Sequence, residues 1–147
     1  MGFLPKALSR ASQGEQNVRM GGISEVIEAV AAEFSALELI GGTKGLWLLD
    51  FTMATEIPVN FTYSPTTLLD GDSDPAAIRS FDPARPLIST AREGSLNANT
   101  IFQDDAWQWT ADVTWYPLHI ASGQILIIGN RVVNEAFTPN ILLAELD

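Results

Sequence analysis

Few residues in this chain have the type and spacing for chemistry. Asp70-Gly71-Asp72-Ser73-Asp74 sets carboxylates at alternate positions, as oxygen coordination of Ca²⁺ requires. The rest of a calcium loop does not follow, because Pro75 stands where the sharp turn needs Gly and Phe81 where the bidentate Glu belongs. The segment therefore reads as an acidic turn. Gly41-Gly42-Thr43-Lys44-Gly45 has the glycines and lysine of a phosphate loop, but Gly45 replaces the required Ser or Thr and the glycines end an element rather than open a helix. His119 is the chain's one histidine. Paired with Asp112 or Asp105 it would be a general base, yet no Gly-x-Ser-x-Gly nucleophile elbow accompanies it. A hydrogen-bonded structural role is the expectation.

Carboxylate pairs occur at Asp104-Asp105, at Asp72 and Asp74, and at Glu25 and Glu28. Glycoside chemistry needs two carboxyls about 5–10 Å apart across a sugar cleft, and a chain with 18 Asp+Glu brings acids together without such a purpose. Zero Cys removes thiolate metal sites, disulfide scaffolds and thiol catalysis. The expectation is no catalytic residue, no metal ligand and no cofactor. Trp107, Trp109, Ala111, Val113 and Trp115 fall on one face of an alternating run, with Gln108, Thr110, Asp112, Thr114 and Tyr116 on the other. Alternate tryptophans can stack sugars or bases, but each also brings a large apolar area, so the sheet's core face is the preferred place for them.

The elements that position these residues follow from periodicity. Ile23, Val26, Ile27, Val30, Phe34, Leu37 and Ile40 recur at helical spacing, with Glu25 and Glu28 in the first turn and Gly41-Gly42 as the stop. This predicts one amphipathic helix over 23–40. Beyond it the period is two. Leu46–Thr52 reads as a buried strand, and Ile57, Val59, Phe61 and Tyr63 alternate as a half-buried strand, with Pro58 placing it at an edge or bulge. Ser64–Pro86 is rich in Pro, Asp and Gly and reads as a long loop. Pro86–Ala91 is a short strand. Gln124–Ile128 and Arg131–Val133 flank Gly129-Asn130 as a hairpin, with 125–128 apolar on both faces and hence central. Ile141–Leu143 is a final strand or helical turn. The predicted fold is mainly β (α+β): an antiparallel sheet, sandwich or curved sheet with the 23–40 helix packed on it.

Residues 1–22 read as an extended arm before a single domain at 23–147. The arm carries a net charge of +2, the remainder –12, and the whole chain –10. Only 18% of residues are charged and 46% are hydrophobic, against about 25% charged in an average domain. Such a chain has apolar area for a generous core or for a partner. The acidic balance argues against direct nucleic-acid binding. No signal-peptide h-region and no membrane-length apolar run are present, so cytoplasmic synthesis without membrane association is expected. The leading functional expectation is a structural protein that acts through contacts with its own copies and other subunits, of the class that forms phage capsid decoration, connector or tail parts. Phe3, Leu4, Lys6, Arg10 and Arg19 of the arm, and Asp70, Asp72 and Asp74 of the loop, are the expected partner contacts. The alternative is a small-molecule-binding domain or enzyme with an aromatic-lined pocket under a curved sheet.

Overall fold

The computed structural model describes residues 17–54, 57–70, 73–97, 107–109 and 115–147. Among the described residues, eleven strands form two antiparallel sheets. They are β1 (Val18–Ser24), β2 (Glu33–Ile40), β3 (Leu46–Met53), β4 (Val59–Ser64), β5 (Asp74–Ala76), β6 (Arg79–Ser80), β7 (Thr90–Asn97), β8 (Trp107–Trp109), β9 (Leu118–Ile120), β10 (Ile125–Asn130) and β11 (Pro139–Leu146). One sheet has five strands in the order β6-β1-β11-β3-β9, the other six in the order β5-β7-β2-β10-β4-β8.

The inner faces meet in one core. Ile23, Leu46, Leu48, Phe51, Ile120, Ile141 and Leu143 come from the five-stranded sheet. Leu37, Leu39, Val59, Phe61, Ala91, Trp109, Leu126 and Ile128 come from the six-stranded sheet. Phe51 is at the centre, edge-on to Phe61 at 5.0 Å and stacked on Trp115 at 5.8 Å. These are the offset and edge-to-face arrangements that the aromatic quadrupole favours. Trp109 and Trp115 are buried as expected, and the Trp115 indole donates to the Leu48 carbonyl at 3.4 Å.

The predicted helix over 23–40 is not what forms. Its first residues end β1, Ile27 makes an isolated antiparallel bridge to Phe137, and Glu33–Ile40 is β2. Ala32 sits at φ 62°, where no right-handed helix can continue. The misreading has a physical cause. β2 is buried on both faces, Leu37 and Leu39 inward, Phe34, Ala36 and Glu38 outward, so its apolar residues do not alternate. A run that is apolar on both sides mimics helical spacing. Ile23, Val26, Ile27, Val30 and Ile40 are β-branched, which weighs toward strand.

Other elements shift as well. Residues 18–22, read as the end of the arm, lie in β1 and pair with β11. Gly129-Asn130 is not a hairpin turn but the end of β10, paired with Asn60 and Val59 of β4. The strand expected at 86–91 begins at Thr90. β10 lies between β2 and β4, central as predicted, and β3 falls where expected, whereas β4 is not at an edge but between β10 and β8, and Ile141–Leu143 lies in a strand, β11, rather than a helical turn. Pro58 immediately precedes β4, where its missing N–H costs no ladder bond. No helix among the described residues is long and apolar enough to cross a membrane.

Candidate functional site

A two-layer sandwich has two outer faces, and these differ sharply. On the six-stranded sheet, Phe34, Ala36, Leu96 and Ile127 form an outer apolar cluster, closed by Leu69 from the segment between β4 and β5. Glu38 holds that segment down. It is fully buried, and its carboxylate accepts the Thr67 hydroxyl at 2.8 and 3.0 Å and the Leu68 N–H at 2.9 Å. Asp70 N donates to Ser95 O at 2.7 Å and continues the attachment. A buried carboxylate is tolerable only with such donors.

Glu145 does the same job for residues 88–89. It accepts Ile88 N at 2.8 Å, Ser89 N at 2.9 Å and the Ser89 hydroxyl at 2.5 Å. Ser89 Oγ in turn accepts Gly42 N at 2.8 Å, which ties the β2–β3 turn to the same carboxylate.

The outer face of the five-stranded sheet is built in cross-strand rows. Ser24, Asn140 and Thr52 make one; Arg79, Gly22, Leu142 and Asp50 the next; Met20, Ala144, Trp47 and His119 the third; Val18 and Leu146 the last. The face is thus polar at one end and apolar at the other. A shift of register at Leu142/Leu143 adds a residue to β3, so Leu49 joins Trp47 on the outside. Every member of the resulting cluster (Val18, Met20, Trp47, Leu49, Leu142, Ala144, Leu146) is on β1, β3 or β11. Leu49 and Ala144 are buried and the other five are half-buried. None of the seven is charged.

At the polar end the rows form a cleft of about 390 Å³. Gly22 and Leu142 are on its floor, Arg79 and Asp50 on opposite sides, and Phe81 on its wall. Gly22 makes this possible, since a Cβ there would stand 2.7 Å from Ile141 O and 3.9 Å from the Phe81 ring. The Ser24 hydroxyl donates to Asn140 Oδ1 at 2.6 Å, which leaves the Asn140 amide nitrogen as a donor. Asp50 Oδ1 accepts Phe51 N at 3.0 Å.

Two groups of acids have shifted titration. Burial, foremost, lifts the Glu93 carboxyl above its ordinary value, helped by its hydrogen bond to Glu25 and by the charges of Glu25, Asp74 and Glu28. Glu33 is lifted mainly by a hydrogen bond to Asp70. Asp147 is held below its ordinary value, chiefly by Arg19.

The residues singled out in the sequence are scattered by the fold. Phe3, Leu4, Lys6, Arg10 and Asp72 lie outside the described residues, as do Asp104, Asp105 and Asp112. Arg19 is engaged within its own chain, with Nε on Asp147 at 2.6 Å and a guanidinium nitrogen on Pro86 O at 2.8 Å, while Arg85 also pairs with Asp147. Asp70 and Asp74 are exposed. The His119 ring lies tilted at 44° against Trp47, centroids 4.4 Å apart, and its carbonyl accepts the Tyr63 hydroxyl. Among the described residues, no three His, Asp or Glu are placed to hold a metal ion. The rows of the outer face went unread because they join residues from four strands distant in sequence. No family model matches the chain, nor does any curated protein or solved structure.

Proposed function

We propose that this chain is a structural subunit that assembles with copies of itself through the apolar half of the five-stranded sheet's outer face. The observation that carries the reading is the seven-residue apolar group on the outer face of a sheet, five of whose members are only half-buried. An apolar outer face of this kind marks an interaction surface. Charge supports a second copy as the occupant. The chain carries a net –10, so two copies repel through most of their surface. They approach at least cost where the facing side chains are uncharged, and a two-fold axis through such a patch makes it self-complementary.

Strand addition is the weaker route to assembly. The outermost strands, β5, β6, β8 and β9, are two or three residues long, which offers few free backbone groups for pairing. The class of assembly we favour is a virus particle, as capsid decoration, connector or tail part. What supports it is a small Cys-free acidic β domain preceded by a basic segment. The alternative pocket lined by the tryptophan face has less support, since Trp109 and Trp115 pack in the core.

Sedimentation velocity of the full chain at micromolar concentration tests the reading. Dimers or larger species that Met20→Arg dissociates, with unchanged circular dichroism, are expected. A monomer at all concentrations, or an assembly indifferent to Met20→Arg, would refute it.

A further inference from the structure

The cleft at the polar end of the same face is a different kind of surface from the apolar half. We infer that it binds a neutral sugar, with Phe81 under the ring and Asp50, Asn140 and Thr52 on its hydroxyls. Phe81 is 61% exposed, the most exposed large apolar side chain among the described residues, yet its backbone is fixed by a 2.9 Å bond from its N–H to Met20 O. An open aromatic face beside a concave surface that carries polar groups suits the C–H face of a pyranose.

The polar groups match the other half of such a ligand. A sugar hydroxyl both donates and accepts. Asp50 supplies an acceptor, with one carboxylate oxygen on Phe51 N and the other left over. Asn140 supplies its amide N–H, since its oxygen is taken by Ser24. Thr52 stands in the same cross-strand row as Asn140 and does either. Charge selects against ionic ligands: Arg79 is the one cation of the lining, which also includes Asp50 and Glu25. An anion would meet two acids, and an amine would meet the guanidinium. The volume of about 390 Å³ falls at the small end of the range for small-molecule sites.

The inference does not depend on self-assembly and is tested separately from it. The full-length chain, ¹⁵N-labelled, is titrated to millimolar levels with glucose, galactose, mannose, N-acetylglucosamine, maltose and lactose. Inorganic phosphate and ethylamine serve as anionic and cationic probes. At least one sugar is expected to shift the amides of Gly22, Ser24, Thr52 and Asn140. Phe81→Ala should weaken that sugar at least about fivefold, with melting temperature unchanged because the ring is exposed. Met20→Arg should leave the sugar shifts in place. The inference is overturned if no sugar moves these amides, if only phosphate or ethylamine does, or if Phe81→Ala binds as the wild type does.

Discussion

The two outer faces of the sandwich answer the same physical problem in opposite ways. The six-stranded sheet buries its outer apolar residues under the chain's own segment 67–69, and it places a carboxylate at the centre to hold that segment by three hydrogen bonds. The five-stranded sheet has an apolar group of similar make-up, but among the described residues its members come from the sheet alone. A buried charge costs several kcal/mol to desolvate, so it is found where its donors are always present. Glu38 and Glu145 are where the chain covers itself. The uncharged rows Met20–Ala144–Trp47 and Val18–Leu146 have no such fastener among the described residues, as the proposed contact with a second copy requires.

Breaking the fastener on the covered face should have the largest effect. Glu38→Ala strands the Thr67 hydroxyl and Leu68 N–H, and should cost about 3–4 kcal/mol in urea unfolding. Amide exchange in residues 67–70 should accelerate with it. Glu38→Gln keeps an acceptor and should cost about half as much.

The same truncation placed on each face comes next. Leu69→Ala should destabilise the fold by about 1–2 kcal/mol, as Leu69 is partly buried against the cluster. Met20→Ala, at a half-buried position too, should cost the isolated subunit about 1 kcal/mol, but it alone should weaken self-association. Weakened self-association from Leu69→Ala, or none from Met20→Ala, measured by sedimentation equilibrium, would remove the distinction between the faces.

Salt gives a smaller effect with a definite sign. Contacts between two acidic bodies are opposed by like charge, which salt screens within about 10 Å at 0.1 M. Self-association should therefore tighten several-fold as salt is raised. Weakening by salt, seen by sedimentation equilibrium, would mean that opposite charges and not the apolar rows hold the copies together.

The smallest effect is in pH. Glu33 and Glu93 titrate above their ordinary value of 4.5 in the fold. A folded state that holds protons more tightly than the unfolded chain gains stability as pH falls from neutral toward 4.5, and loses it as pH rises through the folded value. Asp147 opposes this lower down, because its depressed titration gives stability that disappears in acid. Glu93→Gln should flatten the upper part of the profile, read as melting temperature against pH.

How much was legible in the sequence follows from how each element is buried. β4 turns Val59, Phe61 and Tyr63 toward the core and alternates them with Asn60 and Thr62, so the sequence shows period two even though Thr62 is buried as well. β10 and β3 are apolar runs too short for helices. β2 failed because Glu38, its one charged interior position, is buried rather than solvated, and nothing in its spacing says so. Ser64–Pro86 reads as one long loop, yet it holds the short strands β5 and β6, and the covering role of residues 67–69 depends on Thr67 and Leu68 meeting Glu38, about thirty residues away. The cleft was illegible for the same reason: Ser24, Asp50, Arg79 and Asn140 become neighbours only through strand order.

The central claim is that the apolar half of the five-stranded sheet's outer face is where two copies meet. A mixed sample of ¹³C-labelled and unlabelled chains, read by filtered nuclear Overhauser spectroscopy at the concentration where the dimer forms, tests it directly. Contacts between copies should involve the methyls of Met20, Leu142 and Leu146 and the Trp47 ring, and none should involve Leu69 or Ile127. Contacts through the Leu69 face, or a dimer without any at Met20 and Leu146, would contradict it.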